Sequence, residues 1–195
     1  MMATRYPKKN YEYVTGRDRR KDKMMRKKEL IEILEQHKLW LSYDEEGTRA
    51  DLSGANLSRA DLSCANLRYA NLSGADLSGA KGILDAAEWM KENFVSTSEG
   101  VIVYKAFGDT IYAAPERWEV AEGKYITEVC NPNRTDDCGC GVNFGTLEWI
   151  HSNIDNPTPI WKCLIEWIDL VSVVVPYNTD GKARCERLKL IERIE

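Results

Sequence analysis

Leu52, Leu57, Leu62, Leu67, Leu72 and Leu77 stand five residues apart, a spacing that matches neither the 3.6-residue period of a helix nor the two-residue period of a strand. On an α-helix a step of five residues advances about 500°, so the leucines would scatter around the axis and share no face. Each leucine is preceded two residues earlier by alanine (Ala50, Ala55, Ala60, Ala65, Ala70 and Ala75, with Ala80 closing the series), with Asp or Asn between them and mostly Ser after. Self-similarity at a fixed period marks a solenoid, in which each unit buries its apolar side only against the next. If every unit is one short side of a coil followed by a turn, Leu and Ala point inward. Asp, Asn and Ser then take the turn and bond nearby backbone.

The A-[DN]-L-x-x register of residues 50–79 resembles the pentapeptide-repeat family, whose fold is a right-handed quadrilateral β-helix with four pentapeptides per coil. Six units make one and a half coils, a rod under about 10 Å tall at strand spacing. Long members of the family imitate duplex DNA, but so short a rod imitates little of it. Its outward Asp51, Asp61 and Asp76 are moreover opposed by Arg59 and Arg68. The repeat reads as a spacer or packing platform, with a DNA mimic as the alternative.

The flanks have their own signals. Residues 1–18 carry Pro, Gly, Asn and charge without apolar periodicity and read as a basic mobile arm. Leu30, Ile31, Ile33, Leu34, His37 and Leu39 form a stripe that predicts an amphipathic helix over 19–39. After the repeat (50–80), Asp85 is an N-cap for a short capping helix within 81–99. Residues 100–195 read as a small mixed domain. Strands are predicted at 101–107, 110–114, 125–130 and 170–177, with a further strand in the last run, "ARCERLKLIERI". A helix is expected after Thr146, and "NTDGK" (178–182) is a polar turn between strands. The whole is α+β: an N-terminal helix, a short right-handed quadrilateral β-helix, then a mixed domain.

Six cysteines in a cytosolic chain are thiols or metal ligands before they are disulfides. Cys163 sits in an apolar stretch and reads as buried. "CNPNRTDDCGCG" supplies Cys130, Cys138 and Cys140, and His151 follows, so a structural Zn2+ site is one reading, with Cys185 as an alternative fourth ligand. Loop thiols with no shared task are the other.

Charge is distributed unevenly. Residues 1–28 hold eleven Lys or Arg against three carboxylates, a formal +8 that leaves −12 for the rest of a chain of net charge −4. Arg17, Arg19, Arg20, Lys21, Arg26 and Lys27 are the candidate contacts to nucleic acid or to a partner, although such runs are commonly just solvated. No apolar run reaches the roughly 18 residues of a membrane span, no apolar signal region opens the chain, and the expected compartment is the cytoplasm of a bacterial host.

"NRTDDCGCGVNFGTLEWI" and "VPYNTDGKARCERLKLIE" are similar to the uncharacterised domain that follows pentapeptide repeats in bacteriophage and prophage proteins. That resemblance implies a phage context and carries no assigned activity; taken with the rigid repeat platform and the charge asymmetry, the expectation is a non-enzymatic protein that binds and inhibits a host protein, for example a defence nuclease such as a CRISPR effector. No GxSxG motif, Walker loop or paired metal-binding carboxylates stand in the sequence, and no catalytic residue is assigned. The alternatives are a nucleic-acid-binding protein using the basic arm, and an enzyme with its site in the C-terminal domain.

Overall fold

Each five-residue unit closes on itself. The amides of Ala55, Ala60, Ala65, Ala70, Ala75 and Ala80 donate to the carbonyl of the leucine three residues earlier at 2.9–3.1 Å. The Asp or Asn of every unit accepts from the backbone amide two residues on at 3.0–3.2 Å, the local bond that suits these side chains to turns. In the computed structural model, which describes residues 24–108, 113–154 and 158–195, the chain returns alongside itself after twenty residues. Asp51, Asn56 and Asp61 form parallel bridges with Asn71, Asp76 and Lys81, and the amides of Leu52, Leu57 and Leu62 donate to those partners' carbonyls at 2.8–2.9 Å. All six leucines are buried, from 0% to 7% exposed, with Ala50 and Ala70 beside them.

The amphipathic stripe forms helix α1, Lys27–Leu41, shorter at its start than the expected 19–39: Arg26 is extended, and the 1–18 arm and residues 19–23 lie outside the described residues. It lays Leu30, Ile33 and Leu34 on the leucine ladder, as a stripe with no other apolar surface nearby must. His37, fully buried, accepts from the Ala50 amide at Nδ1 (3.2 Å) and meets the Arg68 carbonyl with Nε2 (3.0 Å). Burial lowers its pKa, so the neutral tautomer that donates from Nε2 is held.

Asp85 caps helix α2, Ala86–Asn93, accepting from the Glu88 amide at 2.9 Å. Its Trp89 and Met90 enter the core of the sheet that follows, not the leucine ladder. Seven strands lie among the described residues: β1 Val95–Ser96, β2 Gly100–Ala106, β3 Tyr125–Thr127, β4 Val142–Gly145, β5 Ile160–Glu166, β6 Lys182–Cys185 and β7 Arg187–Arg193. They form a curled, open, antiparallel sheet in the order β3-β7-β5-β2-β4-β6, with β1 on β2. Val103, Phe144, Cys163, Cys185, Leu188 and Leu190 fill its interior. Helix α3, Leu147–Asn153, starts at Thr146, whose hydroxyl accepts from the Trp149 amide.

Two strand expectations change. Residues 110–112 of the 110–114 run lie outside the described residues, and Ala113 and Ala114 are irregular. The 170–177 run is a 3-10 helix, Trp167–Ser172, followed by one bridge between Val174 and Arg184. Its β-branched composition is overridden by Asp169, which Arg187 holds from β7 at 2.9 Å, and by Pro176, which has no amide for a ladder.

Candidate functional site

Loop 130–140 takes its shape from one side chain. Arg184, on β6 and 1% exposed, sends its guanidinium into the loop and donates to the carbonyls of Asn131 (2.8 Å), Asp136 (3.0 Å) and Asn133 (2.5 Å). The fork of five N–H donors matches three converging carbonyls, and those oxygens replace water around the buried charge, which pairs with no carboxylate among the described residues. Inside the loop, Asn133 accepts from the amide and hydroxyl of Thr135, and Asn131 donates to Asp136.

This arrangement corrects the expected metal centre. Cys130, Cys138, Cys140 and His151 do not converge, and among the described residues no group of three or more His, Cys, Asp or Glu side chains is placed to hold a metal ion. Cys138 accepts from the Lys182 ammonium at 3.0 Å. Cys140 is exposed, and His151 faces the Glu195 carboxylate at 3.2 Å. The alternative ligand, Cys185, lies fully buried in the sheet interior with its thiol toward the Arg187 carbonyl, and burial pushes that thiol strongly upward. The guanidinium of Arg184 instead organises the loop through its main-chain carbonyls.

The same loop joins the sheet to the coil. Arg134 donates to the carbonyls of Val175 (2.6 Å) and Leu84 (2.7 Å) and lies 4.1 Å from the Tyr177 ring centre, while Tyr177 packs on the leucine ladder. The turn at 178–182 is held by Thr179, whose hydroxyl accepts from the amides of Gly181 and Lys182. From it Asn178 reaches the coil: its side chain donates to the Ala70 carbonyl at 2.7 Å, and its carbonyl accepts from the Tyr69 amide at 3.2 Å.

Between coil and sheet runs a cleft of about 700 Å3, with a side pocket of about 210 Å3. Arg68 and Tyr69 line it from the coil, Trp149 from α3, and Thr179 and Asp180 from the docking turn. Trp149 is wedged against Gly181, where φ is +137° and a Cβ would stand 2.8 Å from the tryptophan's own Cβ. Only glycine fits there.

A second surface lies on the far end of β5. The 3-10 helix exposes Trp167 (48%), Ile168 (75%) and Val171 (92%). Ile168 and Val171 are three residues apart, which eclipses them on one face of such a helix. Arg187 fixes this turn by bonding both Asp169 oxygens and Glu166. Tyr125 donates to Glu166 at 2.6 Å, and the Trp167 indole donates to the Ser98 carbonyl at 3.0 Å.

Of the basic residues, Arg17, Arg19, Arg20 and Lys21 lie outside the described residues. Arg26 pairs loosely with Glu29 at 3.6 Å, and Lys27 opens α1. On the coil, the carboxyls of Asp51, Asp61 and Asp76 are held below their usual range by the hydroxyls and amides of the following serines, so the outer face keeps its charge. No helix among the described residues is long and apolar enough to cross a membrane.

Sequence reasoning missed Arg184 and Asn178, because a buried arginine and a turn asparagine carry no mark in a single sequence. It also missed Tyr69, although a signal exists: the other five units read Leu-Ser, three of them Leu-Ser-Gly, where this one reads Leu67-Arg68-Tyr69.

In comparisons with known families, residues 48–81 match pentapeptide repeats, in eight copies. No curated protein and no solved structure matches the chain. The repeat match is confined to the coil and the residues beside it, so what the sheet does is argued from its own geometry.

Proposed function

We propose that the protein is a non-enzymatic, protein-binding module of phage type that inhibits a host protein, with the coil, a right-handed quadrilateral β-helix of one and a half turns, as its scaffold. The observation that carries the reading is the exposed apolar turn at Trp167, Ile168 and Val171. Three large apolar side chains displayed together are not explained by packing among the described residues, and such patches mark sites of association. Around them stand Asp169, Glu166, Arg187 and Tyr125 in a bonded set, which gives an apolar centre with a polar rim, the usual anatomy of an interface. Because these bonds hold the turn in place, little order has to be created on binding. A host nuclease as target comes from the phage resemblance of the sheet's sequence.

The experiment is quantitative capture from a bacterial lysate by the native chain and by Ile168→Asp/Val171→Asp. The native chain enriches a defined partner and the double variant loses it, with an unchanged melting temperature. Equal enrichment by both, or none above an unrelated bait, contradicts the reading.

A further inference from the structure

Among the described residues, three buried side-chain polar atoms have no hydrogen-bond partner: Trp149 Nε1, Asn178 Oδ1 and Asp180 Oδ1. All three belong to residues that line the cleft or its side pocket. Buried polar atoms are almost always paired, so their concentration at one place points to a missing ligand. Asn178 is 4% exposed, and its orientation is fixed because its nitrogen already donates to Ala70. Its free oxygen must therefore accept.

The coil departs from its own repeat at the same place. The third position after each Asp or Asn has positive φ at Gly54, Gly74 and Gly79, and Tyr69 occupies the equivalent position at φ 63°. Arg59 holds the same conformation at φ 60° outside the cleft, so what is particular here is the aromatic ring placed at that position. Its neighbour Arg68 stands where the other five units carry serine. Both departures line the cleft.

We infer that the cleft binds a nucleoside 5′-phosphate. Tyr69 and Trp149 offer rings for a planar base, which stacks on aromatic side chains whatever its identity once the Arg68 and Lys182 heads that lie 5.6 Å from their respective ring centres turn to the phosphate. The free oxygens of Asn178 and Asp180 accept from donors, as base amino groups and ribose hydroxyls supply, and the Trp149 indole donates to a base nitrogen or carbonyl. Arg68 at the mouth, with Arg49 and Lys182 in the side pocket, supplies the cations that a phosphate needs. Asp137 shares that side pocket and Glu148 the main cleft; with Asp180 they balance the three cations, so the site selects a ligand that carries donors as well as negative charge, rather than bare phosphate. This site is separate from the apolar turn of the protein-binding surface.

The test titrates the purified full chain with the four ribonucleoside 5′-monophosphates, their nucleosides, orthophosphate and a 5′-phosphorylated hexanucleotide, read by tryptophan fluorescence and calorimetry. At least one monophosphate binds saturably, at least tenfold tighter than its nucleoside or orthophosphate and no weaker than the hexanucleotide. Arg68→Ser/Tyr69→Gly, which restores the repeat's own residues, melts no lower than the native chain and binds at least tenfold more weakly. Ile168→Asp/Val171→Asp binds like the native chain, which separates this site from the protein-binding reading. The inference is overturned if no monophosphate saturates, if the hexanucleotide alone binds, or if Arg68→Ser/Tyr69→Gly binds undiminished.

Discussion

The side-chain amide of Asn178 donates to the main-chain carbonyl of Ala70 at 2.7 Å, across 108 residues of sequence. Ala70 is the first residue of the unit that stacks on the opening of the coil, where its carbonyl lies beside the Asn71–Asp51 bridge. Asn178 opens the turn that leads into β6, the strand carrying Arg184. Coil, docking turn and loop 130–140 are thus linked through consecutive bonded groups, and the cleft rests on that linkage.

Arg184 is the residue on which loop 130–140 depends. Replacing it by Met removes the guanidinium that gathers three carbonyls, leaving Asn133's only a long bond from the Asp136 amide at 3.4 Å, and leaving buried polar groups unpaired costs about 1–3 kcal/mol each. Arg184→Met is expected to destabilise the chain by roughly 3 kcal/mol or more, with Arg184→Lys only partly better because an ammonium cannot reach all three oxygens. Urea denaturation measures both. Because the thiols of this loop do not converge, EDTA is expected to leave the native melting temperature unchanged.

Lys105 offers a pH test. Its Nζ, buried at the sheet, donates to the Asn143 carbonyl at 2.9 Å and lies over the Phe107 and Trp118 rings, with no carboxylate among the described residues paired with it. Burial lowers its pKa from 10.5 to about 8, against a smaller raising influence from Cys163 and Cys185. Between pH 8 and 10.5 the unfolded chain therefore holds more protons at this group than the folded chain, and the Lys105 contribution becomes more favourable as pH rises. Burial pushes Cys163 up to about 12, and Cys185 moves the same way, so these thiols favour the folded state less as pH rises and mask the lysine in the native chain alone. The difference between Lys105→Met and native isolates it. The variant is expected to be more stable by about 1–3 kcal/mol at pH 7, with the gap closing as pH rises from 8 to 10.5. A constant gap contradicts the assignment.

Arg59, exposed and at φ 60°, occupies the position filled by glycine in three other units. Arg59→Gly relieves left-handed strain while adding freedom to the unfolded chain, for a net gain of about 0.5–1 kcal/mol. Chemical denaturation resolves a change of that size.

The coil was legible because its side chains repeat. Six buried leucines five residues apart exclude a helix from the sequence alone, and the Asp or Asn of each unit bonds as its chemistry predicts. The Asp85 and Thr146 caps were legible for the same local reason. Strand β5, "IWKCLIE", was not, because a strand buried on both faces shows no alternation. The run "LVSVVVPY" misled, since β-branched residues favour strands only where a neighbour can pair with them. The cysteines suggested a metal because spacing alone cannot show that an arginine 44 residues after Cys140 fills the loop. In the cleft, Arg68 and Tyr69 were visible as departures from the repeat, but Asn178 and Trp149 join them only through the docking of coil and sheet.

That docking is tested most directly by native-state hydrogen exchange on the native chain and on Asn178→Ala. In the native chain the amides of Leu52, Leu57 and Leu62, bonded to the next turn of the coil, are expected to exchange with the same free energy as those of Val103 and Cys163 in the paired strands β2 and β5. In Asn178→Ala the coil amides exchange at least tenfold faster while the strand amides change less. Coil amides that already exchange independently in the native chain, or that do not respond to the substitution, would contradict a single docked body.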